Sequence, residues 1–230
     1  MAELLPDRPQ LSIIIPVLNE ADCLDQGLAK LFALQWVTDH AEVIICDGGS
    51  NDNSLDIARR YPCRIMHSNA GRATQMNIAS KSARGKFLLF LHADSCLPED
   101  FHCFVEAGAK WGFYRLRLNA DAIVYRVLEA AINLRTRTTR VAGGDQGLYF
   151  HRQFFEALNA YPQIPLMEDI AICKKARRLA RPYVVGSAIS SSGRRWQAGG
   201  IVKTVLLMWS LRLAYWFGVD PRRLHKIYYP

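Results

Sequence analysis

A short apolar run at residues 86–95, Lys-Phe-Leu-Leu-Phe-Leu-His-Ala-Asp-Ser, ends abruptly in polar residues. Because successive positions are apolar over only a few residues, the run is typical of a strand buried on both faces inside an α/β sheet. His92 and Asp94 are two residues apart, so in an extended chain both side chains leave the same face at the strand's carboxyl end. Ligands bind at that end of open α/β sheets, although an ordinary polar turn would produce the same pattern.

The chain before this run repeats the order strand, loop, helix. Successive units of this kind predict a mostly parallel sheet with right-handed crossovers and helices on its faces. Further strands are predicted at residues 111–118 and 148–152. The strands predicted before the run are residues 11–17, 41–46 and 64–67, and the helices that follow them end near residues 34, 61 and 85.

Composition limits the class of protein and of partner. Half of the 230 residues are hydrophobic, which is enough for a large core and excludes a disordered chain. The formal net charge of +8 favours an anionic partner, whether nucleic acid, a phosphorylated ligand or an acidic membrane. The six cysteines form no C-x-x-C pair, so we expect reduced thiols in a cytoplasmic protein. The first residues lack the pattern of a signal peptide, so nothing predicts export.

The loops after the first strands carry groups that suit a nucleotide. Asp47 can accept hydrogen bonds from a base or a ribose hydroxyl, and Gly48 lets the backbone approach a ligand closely. Asp52 is interpreted as a cap for the helix that begins near Ser54. Arg72 has the planar guanidinium that suits phosphate oxygens, although a single loop arginine is often only solvated.

Four motifs in this part of the chain, read together, resemble one known family. They are Pro16-Val17-Leu18-Asn19-Glu20, Asp47-Gly48-Gly49-Ser50-Asn51-Asp52, Gly71-Arg72 with Asn77, and the strand tip that ends in Asp94. Over residues 11 to about 170 the chain resembles family 2 glycosyltransferases with the GT-A fold, and among them a small bacterial subgroup with His-Ala-Asp in place of D-x-D. The resemblance implies a Rossmann-like, mostly parallel central sheet flanked by helices, and an enzyme that transfers a sugar from a nucleotide-diphosphate sugar with inversion. It also implies nucleotide-sugar binding by Pro16, Glu20, Asp47, Gly48, Arg72 and Asn77.

The same resemblance implies a divalent metal at residues 92–94. Family members bind the metal through D-x-D, and here the motif reads His92-Ala93-Asp94. Asp94 corresponds to the carboxylate that ligates the metal directly, while His92 and Ala93 would contact the nucleotide sugar. Mg²⁺ needs few protein ligands when phosphates and waters supply the rest. A histidine in this position shifts the preference towards Mn²⁺.

The same resemblance identifies residues farther along the chain with the acceptor side of the site, the donor sugar and the diphosphate. Asp169 is predicted as the general base and Glu168 as its support, although acidic residues in the first turn of a helix are also favoured by the helix dipole. Asp145, in a glycine-rich loop, is predicted to contact the donor sugar. Arg195 is predicted to neutralise the diphosphate, and Trp196 to stack on the sugar or pack the loop.

Two apolar segments are predicted as helices outside the sheet. Residues 122–134 place Val124, Val127, Leu128 and Ala131 on one face, which favours packing on the core, with a platform for an anionic acceptor or lipid as the alternative. The segment 199–219 is almost entirely apolar. Two charges within it disfavour a membrane span, so two shorter helical pieces are expected against a membrane or a partner subunit. The predicted division is a GT-A domain at residues 1–198 and a C-terminal apolar helical appendage at residues 199–230.

The sequence lacks the signatures of two other classes of nucleotide-binding enzyme. A nucleotidyltransferase or a dehydrogenase would carry a glycine-rich signature after the first strand, and residues 16–20 lack it. A non-catalytic binding module on the same fold remains the alternative, favoured by His92. The predicted partners are a nucleotide-diphosphate sugar, an acceptor that can be lipid-linked, an anionic membrane or a second copy of the chain, and no nucleic acid. The predicted location is cytoplasmic, peripheral on the inner face of the cell membrane.

Overall fold

The computed structural model describes residues 8–119, 122–192 and 200–229. Eight strands form one sheet in the order β3-β2-β1-β4-β7-β6-β8-β5. Strands β1 to β4 are mutually parallel, β7 is antiparallel to β4 and β6, and β8 runs parallel to β6. The strands are β1 Leu11–Val17, β2 Ala41–Asp47, β3 Arg64–His67, β4 Phe87–Phe90, β5 Ser95–Cys96, β6 Trp111–Asn119, β7 Leu148–His151 and β8 Tyr183–Ser192.

Helices cover both faces of this sheet, which confirms the predicted α/β fold class. They are α1 Ala21–Phe32, α2 Gln35–His40, α3 Ser54–Ala58, α4 Arg72–Ser82, α5 Cys103–Glu106, α6 Ile123–Thr139, α7 Arg152–Ala157, α8 Glu168–Leu179, α9 Ile201–Trp216 and α10 Pro221–Tyr228, and a 3₁₀ turn spans Gly144–Gln146.

Alternation along β1 explains why two layers of helix are needed. Ile13 and Ile15 point into one buried cluster, which they share with Leu24 and Leu28 of α1. Ile14 points into a second cluster on the opposite face, where α4, α8 and the C-terminal helices pack. Since neither face of the strand meets water, its sequence is a continuous apolar run instead of an alternating one.

The central strand is shorter than predicted. β4 ends at Phe90, and residues 91–94 form a turn in which the Ser95 amide donates to the His92 carbonyl over 3.1 Å. Ser95 and Cys96 pair with β8, three strands away from β4 in the sheet. The chain must therefore leave β4 early, and His92 and Asp94 do not project from one face of an extended strand as predicted.

Helix α6 extends to Thr139, and only part of its predicted buried face packs on the core. Leu128 packs against the first cluster, whereas Val124 and Val127 are exposed. The buried carboxylate of Glu129 accepts a hydrogen bond from the Leu118 amide, and the Asn133 side chain bonds both backbone groups of Leu116. These polar contacts attach α6 to the backbone of β6 and leave Val124 and Val127 on the surface.

The segment 199–219 was predicted as two helical pieces, but α9 runs unbroken through Ile201–Trp216. The second helix, α10, starts later, at Pro221, where the Asp220 carboxylate accepts a hydrogen bond from the Arg222 amide. Leu211 and Leu224 join the second buried cluster. Among the described residues, no helix combines the length and apolar character needed to cross a membrane.

Candidate functional site

A cleft of about 490 Å³ opens beside the carboxyl end of β4. Its lining comes from the ends of β1, β4 and β8, the start of α4, residues 143–145, the start of α8, and helices α9 and α10. Nine of the residues predicted from the sequence line this cleft: Pro16, Glu20, Arg72, His92, Ala93, Asp94, Asp145, Glu168 and Asp169.

Asp169 is held at the start of α8. One carboxylate oxygen accepts a hydrogen bond from the Gly144 amide and the other from the Ile170 amide, both over 2.7 Å. The preceding residue, Met167, has a left-handed backbone with φ of 71°, a conformation that costs energy in a side-chain-bearing residue and turns the chain sharply into the helix. Burial raises the pKa of Asp169, although the two amides oppose the shift.

Glu168 lies next to Asp169 and is almost completely buried. Burial, reinforced by the charge of Asp169, raises the pKa of Glu168 to about 7. Arg72 partly opposes this rise, since its guanidinium lies 3.7 Å from the Glu168 carboxylate. Arg72 itself starts α4 directly after Gly71, whose φ of 139° suits only glycine. Acidic residues in the first turn can also serve the helix dipole, but dipole stabilisation does not require that they be buried.

The loop 143–147 carries Asp145 into the cleft. Gln146 holds the loop in place. Its buried side-chain amide accepts a hydrogen bond from the Thr136 hydroxyl and donates one to the Tyr114 carbonyl. A Cβ on Gly144 would lie 2.8 Å from His92 Nε2, so only glycine fits between that ring and Asp169. Burial and the charge of Asp169 raise the pKa of Asp145 to about 6.

The side chains at residues 92–94 fit a metal only if the protein shares its coordination with a bound ligand and water. Within the described parts of the chain, no three His, Cys, Asp or Glu side chains are grouped closely enough to hold a metal ion. Asp94 faces the cleft, and its charge contributes to the raised pKa of Asp145. A carboxylate is a suitable ligand for Mg²⁺ or Mn²⁺, so a metal here would take its other ligands from phosphates and water.

Three predicted residues lie outside the cleft lining and have structural contacts. The buried Asp47 carboxylate accepts hydrogen bonds from the amides of Gly49 and Ser50. Gly48 packs on a neighbouring glutamine amide, 3.1 Å from where its Cβ would be. Asn77 bonds both backbone groups of Tyr161. These residues shape the loops around the site. Arg195 and Trp196 lie outside the described residues.

Sequence reasoning missed part of the cleft wall, which helices α9 and α10 supply. Thr204, Met208 and Arg212 of α9 and Tyr228 of α10 line the cleft. A lone arginine within an otherwise apolar helix was the one available signal for Arg212, because a buried or interfacial guanidinium usually has an anionic partner.

Comparison with protein families and curated proteins gives matches to part of the chain. Residues 12–105 match the model of glycosyl transferase family 2. The uncharacterized glycosyltransferase YibD of Escherichia coli K12 is 35% identical over 129 residues, which cover 44% of this chain and 37% of that protein. The PGL/p-HBAD biosynthesis glycosyltransferase Rv2957 of Mycobacterium tuberculosis H37Rv is 40% identical over 98 residues, 40% of this chain and 38% of that protein. The chain thus matches less than half the length of these relatives.

Solved structures resemble a larger part of the chain. TarS residues 1–349 from S. aureus, in complex with UDP-GlcNAc, has a TM-score of 0.65 and 18% identity, over 80% of this chain and 58% of that one. The mannosyltransferase PcManGT from Pyrobaculum calidifontis, in complex with GDP-Man and Mn²⁺, has a TM-score of 0.62 and 18% identity, over 80% and 56%. At this identity the likeness establishes the fold, which is that of GT-A glycosyltransferases. Residues 12–105 are thus similar to family 2 glycosyltransferases, and the fold is the one that these solved structures share.

Proposed function

We propose that this protein transfers a sugar from a nucleotide-diphosphate sugar to an acceptor hydroxyl, by direct displacement with inversion at the anomeric carbon. The observation that best supports this proposal is the meeting of Asp94 and Asp169 in one cleft, each on a different element of the fold. A displacement of this kind needs charge neutralisation on the leaving diphosphate and a proton acceptor on the opposite side.

The donor side is proposed to consist of the ends of β1 and β4 with the start of α4. Pro16, Glu20, His92 and Ala93 would line the nucleotide sugar, and the Arg72 guanidinium would meet phosphate oxygens. Asp47, Gly48 and Asn77 support this wall through the loops that they hold. Arg195 and Trp196 are retained as donor-side residues on the strength of the sequence resemblance.

Asp94 would hold a divalent metal, Mg²⁺ or Mn²⁺, together with the diphosphate. When bound, such an ion neutralises the charge that develops on the departing diphosphate. A single protein carboxylate is sufficient for this purpose, since Mg²⁺ keeps several waters and readily binds substrate phosphates.

Asp169 is proposed as the general base. The acceptor oxygen forms a bond to the anomeric carbon, the bond from that carbon to the diphosphate breaks, and the hydroxyl proton passes to the Asp169 carboxylate. The amides of Gly144 and Ile170 hold that carboxylate in place. Because burial raises its pKa, Asp169 is a stronger base than an exposed aspartate. Glu168, paired with Arg72, positions the start of α8. Asp145 is proposed to contact the donor sugar.

A non-catalytic nucleotide-sugar binding module is the second candidate. It is favoured by His92 at the position where the resembling family has its first aspartate, and by the lack of a preformed three-ligand metal group among the described residues. Such a module would bind donor without consuming it.

We also propose that the protein is cytoplasmic and peripheral on the inner face of the membrane, with α9 and α10 towards the lipid. Large apolar side chains of α9 are exposed, and basic residues flank them at Lys203, Arg222 and Arg223. Apolar area together with positive charge favours an anionic membrane surface. A second copy of the chain is the competing occupant of this surface.

The experiment that tests the proposed enzyme is a panel of UDP- and GDP-sugars, measured by thermal stabilisation and by release of nucleotide diphosphate, each with and without Mn²⁺. We expect one donor to stabilise the protein and to be hydrolysed slowly, with water replacing the acceptor. Asp94→Asn should remove the increase in affinity that Mn²⁺ produces, because an amide oxygen is a weaker ligand than a carboxylate. Glu99→Gln removes a nearby exposed charge and serves as the control.

Binding without any hydrolysis, in the presence of Mn²⁺, would favour the binding module. If EDTA changes neither affinity nor turnover, the role of the metal is wrong.

A further inference from the structure

A second, smaller groove lies between α6 and α9. Its volume is about 60 Å³, and its walls are apolar: Leu128 and Ile132 from α6, Val205 and Met208 from α9. This groove adjoins the cleft, because Asp145, Met208 and Arg212 line both. A ligand lying in the groove would therefore have its inner end beside the cleft.

The inner end of the groove is charged. Arg135 of α6 and Arg212 of α9 both line it, opposite the single carboxylate of Asp145. Arg135 is half-buried and donates to the Thr136 hydroxyl over 3.1 Å. The guanidinium of Arg212 lies 3.4 Å from where a Cβ on Gly143 would be, directly beside the loop that carries Asp145. Two guanidinium groups against one carboxylate leave a net positive charge where the apolar walls end.

The outer end of the groove leads onto an apolar surface. Leu206, Trp209, Leu213 and Trp216 recur at helical spacing along α9, and each is more than half exposed. Trp209 belongs to this stripe and also lines the groove. On α6, Val127 and Leu134 are each 64% exposed and adjoin the groove-lining positions. The groove thus joins an exposed apolar surface to a positively charged end inside the cleft.

We infer that this groove binds the acceptor, and that the acceptor is an anionic lipid with a hydroxyl in its headgroup. The inference rests on the proposed function. The hydrocarbon next to the headgroup would lie between Leu128, Ile132, Val205 and Met208. A phosphate would sit against Arg135 and Arg212, where guanidinium groups match its oxygens.

The headgroup hydroxyl then lies in the cleft, which Asp169 lines together with Asp145 and Arg212, the residues that the cleft shares with the groove. The hydroxyl oxygen bonds to the anomeric carbon of the donor, the bond from that carbon to the diphosphate breaks, and the proton goes to Asp169. The phosphodiester of the lipid remains intact, so the product is a glycosylated lipid that stays in the membrane. The groove offers both positive charge and apolar walls. Free sugars lack the hydrocarbon and neutral lipids lack the net charge, so both should bind it more weakly than an anionic lipid.

Binding of short-chain lipids as monomers tests this inference without a membrane. The probe is dihexanoyl phosphatidylglycerol below its micelle concentration, titrated into the full chain by calorimetry. Dihexanoyl phosphatidylcholine tests the need for net charge, and glycerol phosphate tests the need for hydrocarbon. We expect the phosphatidylglycerol to bind at least about tenfold more tightly than either, because it alone combines a net negative charge for the two guanidinium groups with hydrocarbon for the apolar walls.

Arg212→Gln should weaken phosphatidylglycerol binding by about tenfold or more, and Arg212→Lys should weaken it less. Arg137→Gln is the matched control, since Arg137 is an exposed arginine in the last turn of α6 and outside the groove. Melting temperatures show whether each variant folds. If Arg212→Gln does not fold, Arg135→Lys provides the second test.

Equal binding of the three probes, or equal weakening by Arg212→Gln and Arg137→Gln, would overturn the inference. Nucleotide binding and donor hydrolysis, measured on the same wild-type protein, separate this failure from failure of the proposed function. If the donor is hydrolysed but the lipid is not selected, only the acceptor inference fails. If the lipid is selected but no nucleotide sugar binds, the proposed function fails and the acceptor role with it, and the groove is left as a lipid-binding site.

Discussion

The cleft holds three carboxyl groups, of Asp145, Glu168 and Asp169, whose pKa values are all raised by burial. Arg72 and Arg135 partly offset their mutual repulsion. Desolvation and like charges are the conditions under which a carboxyl group takes up a proton near neutral pH. Burial and like charge therefore both favour the protonated forms of these carboxyl groups in the free protein. A bound cation or cationic group would favour their ionised form.

Asp169→Asn tests the base at the scale of a single residue. The variant keeps an oxygen that can accept the Gly144 amide, but it cannot take up the acceptor proton. We expect turnover to fall by about 10²- to 10⁴-fold, the usual contribution of general-base catalysis, with donor affinity nearly unchanged. Release of nucleotide diphosphate from the donor provides the assay.

Asp47→Ala is the complementary control and should weaken nucleotide binding first, since Asp47 holds the loop after β2 on the donor side. Wild-type turnover of Asp169→Asn in a working assay would contradict the assignment and make Asp145 the next candidate for the base.

The buried acids also predict how stability depends on pH. The pKa of Glu168 is raised from 4.5 to about 7, so the folded state binds this proton more tightly than the unfolded state does. The stabilisation is fully present below pH 4.5 and is lost as pH rises through about 7. Glu168→Gln removes this term. We therefore expect the melting temperature of the wild type, relative to Glu168→Gln, to fall between about pH 4.5 and 7.

Melting curves at half-unit steps of pH measure this difference. Glu99→Gln is the control, because it removes an exposed carboxylate outside the cleft lining and should run parallel to the wild type. A wild type that gains stability over Glu168→Gln as pH rises would contradict the raised pKa.

At the scale of elements, local pattern predicted a strand where its bounds coincide with those of its apolar run. β1 was expected at residues 11–17 and lies at Leu11–Val17, because its apolar residues Leu11, Ile13, Ile14, Ile15 and Val17 each pack in one of the two cores. β4 was expected to reach residue 95 but ends at Phe90, since Ser95 pairs with β8 nearly 100 residues away. No periodicity within residues 86–95 encodes that distant pairing.

The same distinction applies to α6 and to the site. Spacing alone placed Val124 and Val127 on the core, but hydrogen bonds from Glu129 and Asn133 to the backbone of β6 decided the orientation of the helix. The order of the family motifs predicted Asp94 and Asp169 as site residues, and both line the cleft. Arg212 could not be placed from sequence, because its contact with the loop 143–147 depends on how α9 packs on the second core.

At the scale of the whole molecule, the exposed apolar surface and the proposed catalytic cleft are neighbours. Met208 and Arg212 of α9 face the cleft while Leu213 and Trp216 of the same helix face outwards. An enzyme that docks through this surface would hold its cleft at the lipid headgroups. Removing residues 199–230 would test docking poorly, since Leu211 and Leu224 belong to the core and their loss would expose it.

Substitution of both exposed tryptophans, Trp209→Ala with Trp216→Ala, tests docking while the core stays intact. Each side chain is 67% exposed, so neither contributes much to folding. We expect the wild type to sediment with phosphatidylglycerol vesicles and not with phosphatidylcholine vesicles, and to be released as salt rises, because the positive charge of the chain supplies part of the attraction. Burying two tryptophan rings contributes several kcal/mol at roughly 25 cal/mol per Å², so the double variant should lose at least about 90% of its vesicle binding. Leu179→Ala, which removes an equally exposed apolar side chain from the end of α8, should leave binding unchanged. A wild type that ignores the vesicles and forms a dimer that the double variant cannot form would assign this surface to a second copy of the chain instead.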